Sequence, residues 1–187
     1  MKLSGEATLH APIERVWDAL KDPAVLARTI PGCERLEAAG SGAYLMTVTA
    51  GVASTRGTYS GTVRVHDRQP PSSFAMSASA AGAPGTLGTD VRVRLSEVDG
   101  STLLTYDADA AAGGMIAGVG QRMLTSVIRR TAGEFFAAVD DVLTGERAAR
   151  NSAAAPVRRS LPPGALAGAA MALASFVAGA VWGRRRR

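Results

Sequence analysis

Few side chains in this sequence have the type and spacing that catalysis requires. The two histidines, His10 and His66, have no cysteine or carboxylate at metal-ligand spacing. Cys33 lacks a recognisable basic partner, so a structural cysteine after a Pro-Gly turn is the simpler interpretation. Asp107 and Asp109 alternate on one strand face, as solvated residues do. Because GxSxG, HExxH, CxxC and P-loop motifs are also missing, we expect a binding protein that needs no metal, not an enzyme.

Charge divides the chain near residue 145. Residues 1–145 contain 13 Lys and Arg against 15 Asp and Glu, a net charge of −2, whereas residues 146–187 contain eight Arg and one Glu, a net charge of +7. The first part therefore offers no basic excess to nucleic acid. The single cysteine allows no intrachain disulfide, and the first residues contain no apolar run of signal-peptide length. These features predict a protein of the reducing cytosol.

Hydrophobic periodicity predicts the elements that surround a binding site. Residues 2–10 alternate as a strand, and residues 11–22 and 22–33 contain two short helices. From Glu34 to Ala112 the period is two, interrupted by the turn sequences GSG, RQPPSS, AGAPG and EVDGS. From Met115 to Thr144 the period returns to 3.6, which predicts one helix of roughly 45 Å. Its apolar stripe is formed by Ile116, Val119, Met123, Val127, Phe135, Val139 and Val142. The order predicts an α+β fold, a curved antiparallel sheet wrapped around a long C-terminal helix.

The inner face of this sheet is expected to be lightly filled. Its inward rows contain the small residues Ala50, Gly57, Gly61, Ala78, Ala80, Ala108 and Ala110, opposite Gly118 and Gly120 of the helix. Either the helix approaches closely or a cavity remains. The lack of polar inward groups and the flexible methionines favour an elongated apolar ligand. The predicted lining comprises Tyr44, Met46, Val48, Tyr59, Phe74, Met76, Tyr106, Met115, Ile116, Val119, Met123 and Val127.

Two segments resemble the G-subunit family of carbon monoxide dehydrogenase. HAPIERVWDALKDPAVLARTIPGCERLE resembles the opening of these proteins, with the APxxxVWxxLxDP helix and the IPGC turn. GGMIAGVGQRML, residues 113–124, is similar to the family pattern Gly-x-Ile-Ala-x-x-Gly-x-Arg-x-Leu, and EFF follows at residues 134–136. Met115 departs from the family, where a Lys is common at that position. The resemblance covers about residues 1–145.

The resemblance implies the START-like (SRPBCC) helix-grip fold, which typically holds apolar ligands between its sheet and its long helix. It also implies partnership with a molybdenum hydroxylase of the carbon monoxide dehydrogenase type. In carbon monoxide oxidation, the G-subunit protein helps to attach that enzyme to the membrane, where electron transfer reaches the quinone pool. A non-covalent quinone, with menaquinone as a candidate, suits an apolar tunnel, and its head could use the hydroxyl of Tyr59 or Tyr106.

The C-terminal part is predicted to be a linker, residues 146–160, followed by an apolar tail, residues 161–187. Residues 164–183 would extend about 30 Å as a helix, but their Ala- and Gly-rich composition makes a bilayer span marginal. A span from the cytosol would also place the four terminal arginines outside, against the positive-inside rule. The expected membrane contacts are Leu166, Leu173, Phe176, Val177, Trp182, Arg184, Arg185, Arg186 and Arg187.

Three arrangements of the tail stay open: shallow attachment to the inner leaflet, a true span, and docking into a partner protein. The sequence favours a non-catalytic adaptor at the cytoplasmic face of the membrane, which recruits the molybdenum enzyme and carries a quinone. One alternative is an assembly factor for that enzyme without a ligand. Another is a small-molecule cyclase or hydrolase of the helix-grip superfamily, which would need a polar group inside the cavity.

Overall fold

The computed structural model describes residues 1–40, 42–52 and 55–145 of the 187-residue chain. The predicted linker 146–160, the tail 161–187 and all of the expected membrane contacts lie outside these residues. Of the helices within the described ranges, none combines the length and the apolar composition needed to cross a bilayer.

Seven strands and three α-helices make up the described chain. The strands are β1 Lys2–Leu9, β2 Cys33–Ala38, β3 Ala43–Val52, β4 Thr55–Gln69, β5 Ser73–Gly82, β6 Gly85–Val98 and β7 Ser101–Gly114. The helices are α1 Ile13–Ala19, α2 Pro23–Thr29 and α3 Gln121–Leu143, with a 3₁₀ helix at Met115–Val119. The strands form one antiparallel sheet in the order β1-β7-β6-β5-β4-β3-β2. The predicted α+β helix-grip fold is confirmed.

Local sequence explains several of these boundaries. The Asp22 side chain caps α2 by accepting a hydrogen bond from the backbone N–H of Ala24 at 2.8 Å, and Pro23 takes the first helical position. Asp99 and Gly100 both have positive φ, 50° and 75°, which suits the tight hairpin between β6 and β7.

The core lies between one face of the sheet and α3. Most strands bury alternate residues, as the period of two predicts, and α1 joins them through an edge-to-face contact between Trp17 and Phe74, 5.8 Å between ring centroids. The buried face of α3 consists of Leu124, Val127, Ile128, Thr131, Ala132, Phe135, Phe136, Val139 and Leu143.

The prediction of one continuous helix from Met115 to Thr144 is wrong. A 3₁₀ helix and α3 are separated at Gly120, whose φ of 89° is open to glycine but costly for other residues. The predicted inward orientation of Met115 and Met123 is also wrong, because these side chains are 65% and 45% exposed. Gly118 is exposed as well, so it does not face the sheet.

Candidate ligand-binding site

An apolar cavity lies between the first turns of α3 and the inner face of the sheet, where residues of five strands line it. Leu124 and Ile128 of α3 form one wall, while β1 and β3 contribute Leu3 and Met46, and Met1 also lines the cavity. Opposite them are mainly small residues of β5, β6 and β7, namely Ala78, Ser79, Ala80, Leu87, Gly88, Thr89, Ala108, Ala110, Ala111 and Ala112. The space exists because the alanine side chains are too short to reach α3 and Gly88 has no side chain.

The cavity is small. Its enclosed volume is about 30 Å³, and about 590 Å³ when the open space at its mouth is included. The enclosed volume decides what fits without movement, and a cavity of about 150 Å³ is what admits benzene. Of the two outcomes expected from the small inward residues, α3 thus approaches closely and a reduced cavity also remains. A ring-sized ligand requires the lining to move.

Among the predicted lining residues, Met46 lies directly in this cavity. Eight other predicted residues belong to the surrounding core and do not line the cavity. They are Tyr44, Val48, Tyr59, Phe74, Met76, Tyr106, Ile116 and Val127. Val119 is half-buried in the 3₁₀ helix. The sequence does contain the signal for the observed lining, since the alanines of β5 and β7 are small inward residues of their strands. Leu124 and Ile128 are absent from the predicted lining because the predicted stripe runs through the preceding residues, Met123 and Val127.

The buried tyrosines are neutral hydroxyl groups at physiological pH. Burial raises the pKa of Tyr59 above its ordinary value, and burial is also the main cause of the raised pKa values of Tyr44 and Tyr106. The guanidinium groups of Arg68 and Arg129 oppose the shift at Tyr44 and at Tyr106, respectively, without reversing it. Tyr106 stacks against Phe136 in a tilted contact, 5.8 Å between ring centroids, and lines a groove between β1 and α3.

Both histidines have an acidic neighbour in the structure. For His66 it is the next residue, Asp67, whose Oδ2 lies 3.0 Å from the His66 Nδ1, whereas the neighbour of His10 is distant in the sequence. Asp140 of α3 accepts a hydrogen bond from the His10 backbone N–H at 2.6 Å and lies 2.7 Å from its Nδ1. His66 lies 3.2 Å from the Ser77 hydroxyl, which donates to Asp90 at 2.6 Å. None of these groups lines the apolar cavity. Within the described residues, no group of three or more His, Cys, Asp or Glu is arranged to hold a metal ion.

Cys33 is expected to be a slow nucleophile. Burial is the main cause of the raised pKa of its thiol, and the negative charge of Glu34 acts in the same direction. A raised pKa means that a smaller fraction of thiolate is present at any given pH. We therefore expect alkylation by iodoacetamide at about pH 8 to be slower than that of free cysteine and to increase only at more alkaline pH. Urea-unfolded protein is the control and should react like free cysteine, and equal rates in the two states would contradict the prediction.

Comparison with known proteins identifies the family. The family model for CoxG, the G subunit of carbon monoxide dehydrogenase, matches residues 5–144, which include every described helix and all but the first residues of the sheet. The chain belongs to the CoxG family. This result confirms the resemblance. It identifies the chain as a member of an accessory-subunit family of carbon monoxide dehydrogenase systems. No curated protein matches the chain.

Solved structures confirm the START-like architecture of this CoxG chain. A conserved protein from Geobacillus kaustophilus is 31% identical, with a TM-score of 0.75 over 78% of this chain and 97% of its own. A START superfamily protein from Mycobacterium smegmatis is 14% identical, with a TM-score of 0.60 over 78% of this chain and 98% of its own. The Zhui aromatase/cyclase from Streptomyces sp. R1128 is 22% identical, with a TM-score of 0.55 over 84% and 99%. The last two similarities show the fold alone.

Proposed function

We propose that this protein is a non-catalytic adaptor for a carbon monoxide dehydrogenase-type molybdenum hydroxylase. It holds a quinone in the cavity beside α3 and keeps it at the cytoplasmic face of the membrane, where the hydroxylase is recruited. Membership of the CoxG family supports the link to the hydroxylase. The choice of menaquinone as the quinone rests on the family resemblance.

The observation that carries the ligand proposal is the chemistry of the cavity wall. None of its 15 lining residues has a charged side chain, and only Ser79 and Thr89 have polar side chains. The terminal ammonium of Met1, which is also a lining residue, is paired with the Asp109 carboxylate at 3.2 Å. Such a wall stabilises an apolar ligand by removing its surface from water, and none of its side chains could act as an acid or a base in a chemical step. A cyclase or hydrolase would need one of those groups beside its substrate. The wall therefore favours a carrier over an enzyme.

Two parts of the cavity wall can move to admit a ring-sized ligand: the Met46 side chain and the first turn of α3. Met46 has an unbranched, flexible side chain that can adopt other rotamers without leaving the core. Leu124 belongs to the first turn of α3, directly after the break at Gly120. A helix that begins at such a break is anchored to the 3₁₀ helix by one flexible residue, so its first turn can move outward as the ligand enters.

The membrane part of the proposal rests on the sequence beyond residue 145. Residues 160–183 are uncharged, and arginines follow at 184–187. Arginines near an anionic inner leaflet each contribute roughly 1 kcal/mol to attachment. Shallow attachment keeps these arginines on the cytosolic side and places the ligand-binding domain beside the membrane from which a quinone would come.

Two neighbouring alanines of β5 provide a matched test of the carrier function. Ala80 lines the cavity, whereas Ala81 points to the opposite, exposed face of the same strand. We expect the full-length protein and Ala81→Leu to release comparable amounts of quinone on organic extraction, measured by mass spectrometry. Ala80→Leu fills the cavity and is expected to release several-fold less.

The outcomes separate the parts of the proposal. Equal quinone in Ala80→Leu and Ala81→Leu would mean that the quinone comes from co-purified membrane and not from the cavity. Absence of quinone from the unmodified protein would overturn the carrier function and would favour the assembly factor. Membrane attachment is tested separately, by sedimentation of the full chain with anionic vesicles.

A further inference from the structure

One buried hydroxyl next to the cavity is left without a hydrogen-bond partner. Thr131 of α3 is 0% exposed, and no group of the described residues makes a hydrogen bond with its Oγ1. The other two buried threonines are both satisfied. Thr29 donates to the carbonyl oxygen of Val25 at 2.9 Å, and Thr102 donates to that of Ala11 at 2.8 Å. Thr131 is therefore the exception among the buried polar side chains of the described chain.

This exception costs the ligand-free protein stability, because a buried hydroxyl has lost its water without gaining a partner. A threonine within a helix commonly donates to the carbonyl oxygen four residues earlier, as Thr29 does in α2. Thr131 does not make the corresponding bond to Val127. Valine has nearly the same shape and would fill the site without this cost. An unsatisfied group of this kind calls for a physical explanation, and a ligand is one.

The position of Thr131 relates it to the cavity. It follows Ile128 by three residues and Leu124 by seven, so the three side chains lie on one face of α3. Leu124 and Ile128 line the cavity. Thr131 therefore lies about 4.5 Å further along α3 than Ile128, just behind the cavity wall, and a ligand reaches it only when the wall moves. Beyond it the next turn is closed by Phe135 and Phe136, whose rings are 5.1 Å apart.

We infer that the Thr131 hydroxyl is the hydrogen-bond donor that orients the ligand, by binding a carbonyl oxygen at the ligand's inner end. The inference rests on the proposed function, because it places the same ligand in the same cavity. The ligand class is an apolar ring that carries a carbonyl group, with any hydrocarbon chain directed towards the mouth. Ser79 and Thr89 do not compete for this role, since they are exposed and half-buried, respectively, and can remain hydrated.

The arrangement combines two effects. The apolar wall supplies affinity for any hydrophobic molecule of suitable size, but it cannot fix the molecule's direction. One donor in a dry, apolar site provides direction, because a ligand that enters with its hydrocarbon end first leaves the hydroxyl unsatisfied. Thr131 takes the role that the sequence suggests for Tyr59 and Tyr106. None of the three lines the cavity, but Thr131 is one turn from Ile128, which does, and its hydroxyl has no partner.

Two small probes with the same ring system test the inference: menadione, which carries two carbonyl groups, and 2-methylnaphthalene, which carries none. Binding of each to the full-length protein is measured by equilibrium dialysis, for the unmodified chain and for Thr131→Val and Thr131→Ser. We expect Thr131→Val to bind menadione about tenfold more weakly and 2-methylnaphthalene with unchanged affinity. Thr131→Ser, which keeps the hydroxyl, should keep most of the preference for menadione.

Urea unfolding of Thr131→Val tests the inference without any ligand. Because Thr131→Val removes a buried unsatisfied group, its urea midpoint should equal or exceed that of the unmodified chain. A lower midpoint would show that the hydroxyl is already satisfied in the free protein, and it would overturn the inference. Equal losses for both probes would overturn it too, because they would indicate a change of shape and not a lost hydrogen bond.

The test also separates this inference from the proposed function. If the unmodified chain and Thr131→Val bind menadione equally well, the inference fails and the carrier function survives. If the unmodified chain binds neither probe, the cavity does not accept apolar rings, and both fail together.

Discussion

Replacing Phe135 with alanine is expected to lower the free energy of unfolding by about 3–5 kcal/mol. The Phe135 side chain is 0% exposed, and its ring contacts Phe136 edge-to-face. Removing it leaves a void at the centre of the interface between α3 and the sheet, where close packing allows little relaxation. Urea unfolding, followed by circular dichroism, measures the change.

The matched control for Phe135→Ala is Met123→Ala, on the same helix. The sequence pattern assigns both residues to one apolar stripe, but Met123 is 45% exposed in the structure. Its replacement is expected to change the free energy of unfolding by no more than about 0.5 kcal/mol. Comparable losses in the two variants would show that α3 is rotated away from the observed orientation.

Gly32→Ala is expected to destabilise the protein by about 2–3 kcal/mol. Gly32 has a φ of 72°, in the left-handed region that disfavours side chains with a Cβ. A Cβ at this position would also collide with the Thr49 carbonyl oxygen, because the IPGC turn packs directly against β3. The Gly32 carbonyl oxygen accepts a hydrogen bond from the Thr49 N–H at 2.9 Å, so the turn cannot move away without losing that bond.

Gly118→Ala is the control for this glycine substitution, since a Cβ at residue 118 would meet no atom within 4 Å. We expect its urea midpoint to stay close to that of the unmodified chain. If Gly32→Ala were equally harmless, the turn would have to adopt a different backbone conformation from the one observed.

The prediction of which strand residues face the core is confirmed. On β3, Tyr44, Met46 and Val48 alternate with outward residues, and all three are buried as predicted. This agreement has a simple cause, because the side-chain period of a strand is two and leaves no other choice of face once one residue is known to be inside. The same rule identifies the small residues that leave space beside α3.

The helix pattern is confirmed only in part. Ile116, Val127, Phe135 and Val139 of the predicted stripe are buried, but Met123 is exposed. The stripe with a period of 3.6 runs from Ile116 through Val119 to Met123, across Gly120. At Gly120 the backbone leaves the helical conformation, so a period counted across this residue does not fix the direction of the first side chains of α3. Met123 lies in that first turn, and its side chain is 45% exposed.

By itself the sequence determined the order of the elements, the α+β class, the inward row of each strand and the family, because periodicity and turn residues act over short distances. Only the tertiary structure decided the size of the cavity, the exposure of Met115 and the unsatisfied hydroxyl of Thr131. These properties depend on how closely α3 approaches residues that are far away in the chain. Distances of that kind are set by packing of the whole core, and no local pattern encodes them.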